Sequence, residues 1–155
     1  MPVLEREAII PAPRDEVFPF FEDPRNLAKI TPRSMGFTIR EIDDLPIKPG
    51  FRIEYTIKWL GLPLKWVTLI EEYDPPRGFT DVQARGPYRS WRHSHSFEDL
   101  GDRTLMRDRV QYELPFGILG SAAHRLIVAR QLERIFDHRA RRIRRLFASA
   151  ATTGA

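Results

Sequence analysis

The sequence predicts an α+β fold in which a curved antiparallel sheet of about seven strands surrounds one long C-terminal helix. Three observations support this. Seven segments alternate between apolar and polar residues, which is the period-two pattern of strands. Two short helical segments interrupt this pattern after the first strand. The C-terminal region repeats apolar residues at helical spacing.

The first strand is expected at residues 3–10, and the sequence Pro-Ala-Pro at 11–13 ends it, because proline cannot donate to a ladder. A short helix follows and runs to Phe21. Asp23 then serves as the N-cap of a second short helix whose first residue is Pro24.

Turn-forming residues separate six further strands, which are expected at residues 37–43, 51–59, 64–73, 79–85, 91–97 and 104–114. The inward face of the strand at 79–85 is left open by its pattern. It carries either Phe79, Asp81 and Gln83 or Thr80, Val82 and Ala84.

The long helix is expected to begin after Ser121 as its N-cap and to end near Phe147. Its apolar stripe comprises Ala122, Leu126, Ala129, Leu132, Phe136, Ile143 and Phe147. The chain length is that of a single domain, which we place at 1–148 and which is followed by a flexible tail at 149–155.

The strand at 91–97 has the most informative pattern. Alternation places Trp91, His93, His95 and Phe97 on one face, while serine and arginine occupy the other. Buried imidazoles require polar partners or a polar cavity. The pattern therefore indicates a lined pocket rather than a dry core.

A partner for these histidines comes from the next strand. Pairing around the turn at 100–101 places Asp108 opposite His93 and Met106 opposite His95, and a slip of two residues places Asp108 opposite His95 or Trp91. A His–Asp pair orients one imidazole tautomer and raises its basicity. His93, His95 and Asp108 are therefore the candidate catalytic residues, the alternative being a polar cluster that only rigidifies the sheet.

Inward tryptophan and tyrosine rings favour a pocket over a close-packed core, because their N–H and O–H groups need hydrogen-bond partners when they are buried. The predicted ligand-binding residues are Tyr55, Trp59, Trp66, Gln83, Trp91, His93, His95, Met106, Asp108, Tyr112 and Phe116.

Other kinds of site have little support. The chain has no cysteine, no Gly-x-Ser-x-Gly motif and no glycine-rich phosphate loop. A metal ion could use His93 and His95, but Asp108 is the only obvious third ligand. We expect no metal and no cofactor.

The net charge of +4 does not indicate nucleic-acid binding. Residues 121–155 hold eight arginines against Glu133 and Asp137, so the remainder of the chain has a net charge of −2. Cations near a helix C-terminus interact favourably with its dipole. We interpret Arg139, Arg141 and the following arginines as a solvated helix end.

No apolar run is long enough to span a bilayer, and the N-terminus is charged where a signal peptide would be apolar. These features predict a cytoplasmic protein without stable membrane insertion. The sequence does not specify an oligomeric state.

Local phrases in this order resemble the START-like, or SRPBCC, superfamily, which includes the birch-pollen allergen and polyketide cyclases. The phrases are Ile10 to Pro13 with Val17-Phe18, Glu72 to Pro76, Gly86 to Tyr88 with Trp91 to His93, and Tyr112 to Gly117. The resemblance implies the helix-grip fold and an internal cavity for hydrophobic or amphiphilic small molecules.

Two functions are then open. We favour binding or carriage of a hydrophobic or amphiphilic molecule; the alternative is a cyclase, dehydratase or isomerase that uses the His–Asp pair. Apolar turns at 60–63, 86–88 and 116–119 are expected to cluster at one sheet edge. They form either a gate for the ligand or a plug of the sheet end.

Overall fold

The computed structural model describes residues 2–59, 61–115 and 122–153. Strand β1 (Val3–Ile10) is followed by helix α1 (Arg14–Glu22) and by two 3-10 segments, Pro24–Ile30 and Arg33–Met35. The remaining elements are β2 (Thr38–Ile42), β3 (Arg52–Trp59), β4 (Leu62–Asp74), β5 (Gly78–Arg85), β6 (Ser90–Asp99), β7 (Thr104–Glu113) and α2 (Ala122–Thr153).

The seven strands form one antiparallel sheet in the order β1-β7-β6-β5-β4-β3-β2. Strands β2 to β7 follow one another as a meander, and β1 closes the far edge beside β7. Register shifts interrupt the β2–β3 pair once and the β4–β5 pair twice. Such bulges bend a strand, so the sheet curves around its concave face. The expected fold class is confirmed.

The segment after α1 begins as the sequence predicts. The Asp23 carboxylate accepts a hydrogen bond from the backbone N–H of Arg25, and Pro24 opens the segment. This segment is a 3-10 helix, and the short turn Arg33–Met35 after it is an addition that the sequence pattern did not predict.

Helix α2 lies along the concave face and buries Val128, Leu132, Phe136 and Ile143. The predicted stripe is wrong at Ala122, which is exposed, and at Leu126, which is 52% exposed. Because each helical residue turns by about 100°, Leu126 lies on the opposite side of the helix from Val128. No helix in the described part of the chain is long and apolar enough to cross a bilayer.

Two apolar clusters fill the space inside the sheet. One surrounds α1 and includes Phe97 and Met106, whereas the other surrounds α2 and includes Val110 and Tyr112. Strands β6 and β7 run through both clusters. Their inward positions between the clusters are polar, and this places the candidate site at the boundary.

Gly78, the first residue of β5, allows β5 and β6 to approach closely. A Cβ at this position would lie well inside van der Waals contact with the backbone oxygen of His95. Gly78→Ala is expected to reduce the free energy of unfolding by about 1–3 kcal/mol, because the backbones must separate. Chemical denaturation measures this. Ser96→Ala, an exposed change on the facing strand, should stay within about 0.5 kcal/mol of wild type; equal effects of the two changes would contradict the close approach.

Candidate functional site

The register of the β6–β7 hairpin decides which residues meet. His95 lies opposite Asp108, and Phe97 lies opposite Met106. The expected register, with His93 opposite Asp108, is therefore wrong by two residues, and the observed one is the first of the two alternatives. The cause lies in the turn, where Gly101 adopts a φ of +86° and its N–H bonds to the Asp99 carboxylate.

Two aspartates and two histidines form two adjacent hydrogen-bonded pairs, which we together call the His–Asp cluster. It comprises Asp81 of β5, His93 and His95 of β6, and Asp108 of β7. His93 Nε2 lies 2.8 Å from Asp108 Oδ1, and His95 Nε2 lies 2.7 Å from Asp81 Oδ2. Each histidine therefore faces one aspartate across the ladder and bonds the other diagonally.

The two imidazoles stack with centroids 3.6 Å apart, so each carboxylate also approaches the second ring. Asp81 Oδ2 lies 3.9 Å from His93 Nδ1, and Asp108 Oδ1 lies 3.5 Å from His95 Nδ1. The predicted His–Asp pair is thus present as a diagonal hydrogen bond between His93 and Asp108, and Asp108 also lies directly opposite His95.

Burial sets the charge of the cluster, since His93, His95 and Asp108 are 4%, 6% and 5% exposed. Burial, together with the nearby His93, lowers the pKa of His95 to about 4. Burial alone would raise the pKa of Asp108, but the hydrogen bond from His93 and nearby positive charges lower it to about 2. The pKa of Asp81 is lowered in the same way, with His95 as its bonding partner. Both carboxylates are therefore ionised at neutral pH.

The cluster forms one wall of an internal cavity of about 150 Å³ between the sheet, the 3-10 segments and α2. A cavity of this size encloses a benzene-sized group. Met35, Gln131 and Ile135 also line an adjoining groove between the turn Arg33–Met35 and α2, into which a longer ligand would extend. Six predicted ligand-binding residues line it: Tyr55, Trp59, Trp66, Trp91, His93 and His95. Its polar lining also includes Asp81, Gln131 and Arg139.

Three other predicted ligand-binding residues do not line the cavity. Met106 and Tyr112 are buried in the two apolar clusters. Asp108 contacts both histidines, and these line the cavity in its place. None of these three is among the described cavity-lining residues.

Gln83 is also absent from the described lining. Its amide bonds both the N–H and the carbonyl of Tyr88 and so fixes the turn between β5 and β6. Phe116 and the rest of the turn at 116–119 lie outside the described residues, as does Leu60. The expected clustering of the apolar turns falls largely on this undescribed part.

The sequence pattern leaves Asp81 open and predicts Arg139 wrongly. Asp81 belongs to the face of β5 that the pattern does not decide, and its hydrogen bond to His95 shows that this face is inward. The prediction that Arg139 is solvated is wrong, because it is only 9% exposed. Its position three residues after Phe136 and four before Ile143 continues the buried stripe of α2, and that spacing was the available signal.

The cluster also contains a possible set of metal ligands. Ligand atoms of Asp81, His93 and His95 lie within 4.8 Å of one another. Two imidazole nitrogens and a carboxylate oxygen suit a divalent transition metal. The third ligand would be Asp81 rather than the expected Asp108, which would instead orient His93 from behind. In the observed geometry both Nε2 atoms are engaged with carboxylates.

The family model described as polyketide cyclase / dehydrase and lipid transport matches residues 10–141, which is most of the chain. The chain belongs to this family. The expected relationship to the START-like superfamily is thereby confirmed. No curated protein sequence matches the chain.

Solved structures share the fold of this polyketide cyclase-family protein. Protein TTHA0849 from Thermus thermophilus is 17% identical, with a TM-score of 0.76 over 96% of this chain and 99% of that one. The Zhui aromatase/cyclase from Streptomyces sp. R1128 is 15% identical, with a TM-score of 0.73 over 92% of this chain and 90% of that one. A START superfamily protein from Mycobacterium smegmatis is 15% identical, with a TM-score of 0.67 over 93% and 98%. At these identities the likeness shows the fold.

A double-mutant cycle tests the His93–Asp108 contact in this family member. Because the two groups bond while buried, His93→Ala and Asp108→Ala should be non-additive in the free energy of unfolding, with a coupling of about 0.5–3 kcal/mol. The control pair is Ser94→Ala with Asp108→Ala, since Ser94 points to the other face, and it should be additive within about 0.5 kcal/mol. Additivity of the first pair would contradict the contact.

Acid should destabilise the protein in two steps. Between about pH 6.5 and about pH 4, His95 is protonated in the unfolded chain but not in the folded state, so the free energy of unfolding falls as pH falls. Between about pH 3.8 and about pH 2, the carboxyl of Asp108 is likewise protonated in the unfolded chain but not in the folded state, so the free energy of unfolding falls further.

Urea denaturation at a series of pH values, followed by tryptophan fluorescence, measures both steps. His95→Asn removes the first titrating group and should flatten the curve above pH 4 while leaving the lower step in place. A wild-type stability that does not change between pH 6.5 and pH 4, or a variant with the wild-type slope, would show that the assignment to His95 is wrong.

Proposed function

We propose that the protein binds an apolar or amphiphilic small molecule in the cavity between the sheet and α2. The observation that carries the proposal is the composition of the cavity lining. Aromatic side chains from β3, β4 and β6 line the cavity together with the polar side chains of Asp81, His93, His95 and Arg139. Pockets with mostly apolar walls and a few converging polar groups are the usual form of small-molecule sites.

The aromatic side offers flat contact surfaces. Trp66 stacks on Tyr55 at a centroid distance of 6.0 Å and meets Trp91 edge-on at 5.3 Å. Ring pairs of this kind hold one another in place. The Trp66 indole N–H is buried without a hydrogen-bond partner among the described residues. A ligand oxygen beside it would supply the missing acceptor, which supports an amphiphilic ligand over a hydrocarbon.

A second candidate function is acid–base catalysis in the same cavity. It is favoured by one arrangement, in which His93 faces the cavity while Asp108 holds its Nε2 from behind. This is how an orienting carboxylate supports a general base. The pKa of His95, near 4, makes that residue a poor proton acceptor at neutral pH. His93 would therefore be the base, and binding remains the better supported function.

A neutral fluorescent probe tests binding directly. N-phenyl-1-naphthylamine should bind saturably with an increase in its emission, because the cavity excludes water from its rings. Ile135→Trp adds a large ring to a half-buried residue that lines the cavity. This change is expected to weaken probe binding about tenfold or more, since a filled site must distort to admit the probe.

The matched control is Ile127→Trp, the same substitution at a 52% exposed position of the same helix. It should bind the probe as wild type does. No saturable response in wild type, or equal loss of binding in both variants, would mean that the cavity is not the binding site.

A further inference from the structure

We infer that the ligand carries a carboxylate and that Arg139 binds it inside the cavity. This deepens the proposed function and rests on it, because it requires that a small molecule occupies the cavity.

Arg139 is a charged group in a buried position. It projects from α2, lines the cavity and is 9% exposed. Its Cζ lies 5.1 Å from the centroid of the Phe136 ring, which holds the guanidinium over an aromatic face. Arginine stays protonated in proteins, and a buried charge is costly unless it is paired and hydrogen-bonded. The position therefore calls for a partner.

The atoms that lack a partner identify the kind of group required. Nε and Nη2 of Arg139 are both buried without a hydrogen-bond partner among the described residues. These two atoms form one edge of the guanidinium. The same edge of Arg77 binds both carboxylate oxygens of Asp74, at 2.8 and 2.7 Å. Two parallel N–H groups fit two oxygens of a planar carboxylate.

The protein's own carboxylates do not fill this role. Asp81 and Asp108 lie close enough for Arg139 to contribute to lowering their pKa values, but both already bond the histidines. No ion pair within 4.0 Å joins Arg139 to either of them in the described part of the chain. These charges compensate the guanidinium from a distance and leave its hydrogen bonds unmade.

The same two carboxylates limit the charge of the ligand. Both are ionised at neutral pH and lie in or directly behind the wall that Arg139 shares. A phosphate dianion would bring twice the repulsion of a carboxylate to this wall. The neighbouring charges therefore favour a singly charged, planar acid.

A groove that carries two arginines adjoins the cavity. It lies between the turn Arg33–Met35 and α2 and is lined in part by Arg134 and Arg141. Met35, Gln131 and Ile135 line both the groove and the cavity, so the two spaces adjoin. Positive charges beside a site raise the local concentration of an anionic ligand.

Isothermal titration with a matched pair of probes tests the inference. 2-Naphthoate and 2-naphthalenemethanol share the same ring system, and only the first carries a carboxylate. Wild type should bind 2-naphthoate about tenfold or more tightly than the alcohol, as expected for charge-assisted hydrogen bonds. In Arg139→Met this preference should disappear, while affinity for the alcohol should stay within about twofold.

Two further variants separate the role of Arg139 from general charge and folding. Arg139→Lys keeps the charge but lacks the two parallel N–H groups, and it should retain only part of the preference for 2-naphthoate over the alcohol. Arg145→Met removes an exposed arginine from the same helix and should behave as wild type. Thermal unfolding checks each variant, and if Arg139→Met does not fold, the wild-type preference and Arg139→Lys decide the question.

The outcomes separate the two proposals. Equal wild-type affinity for the two naphthalene probes, or a preference that Arg139→Met or Arg139→Lys leaves unchanged, would overturn the carboxylate inference. In that case saturable binding of N-phenyl-1-naphthylamine would still support the proposed function. Failure of all three probes to bind would overturn both.

Discussion

The structure depends on the two hydrogen bonds that pair two carboxylates with two imidazoles inside the sheet. Each of these groups would be costly to bury without its partner. Because His93 and His95 each bond an aspartate on a different neighbouring strand, the cluster ties β5, β6 and β7 into one register. A slip of either neighbour would leave a charge without its partner.

The cluster also explains why the interior is divided. Apolar side chains pack on both sides of it, around α1 and around α2, and Tyr55 contacts both apolar clusters. The cavity is lined by two histidines and one aspartate of the His–Asp cluster and by aromatic rings from β3, β4 and β6. A site that combines apolar and charged side chains results from this packing.

Helix α2 completes the site by supplying both kinds of side chain. Leu132 and Phe136 close the cavity with apolar surface, and Arg139, one turn later, adds a cation to the polar wall. Phe136 contacts both His93 and Arg139. Its ring meets the His93 ring edge-on at a centroid distance of 5.2 Å, and the Arg139 guanidinium lies over it at 5.1 Å. The helix thus sets the distance between the cation and the His–Asp cluster.

The sequence by itself determined the architecture and the polar inward face of β6. Period-two and helical spacings depend only on local backbone geometry, so the seven strands, the capped segment at Asp23 and the long helix followed from them. The tertiary structure alone decided the hairpin register and the inward face of β5, and it showed the burial of Arg139, for which helical spacing was only a partial signal. A turn at Gly101 with positive φ shifts the pairing by two residues without altering any alternation pattern. Asp81 and Arg139 became site residues because curvature of the sheet and the position of α2 bring together side chains that are far apart in the chain.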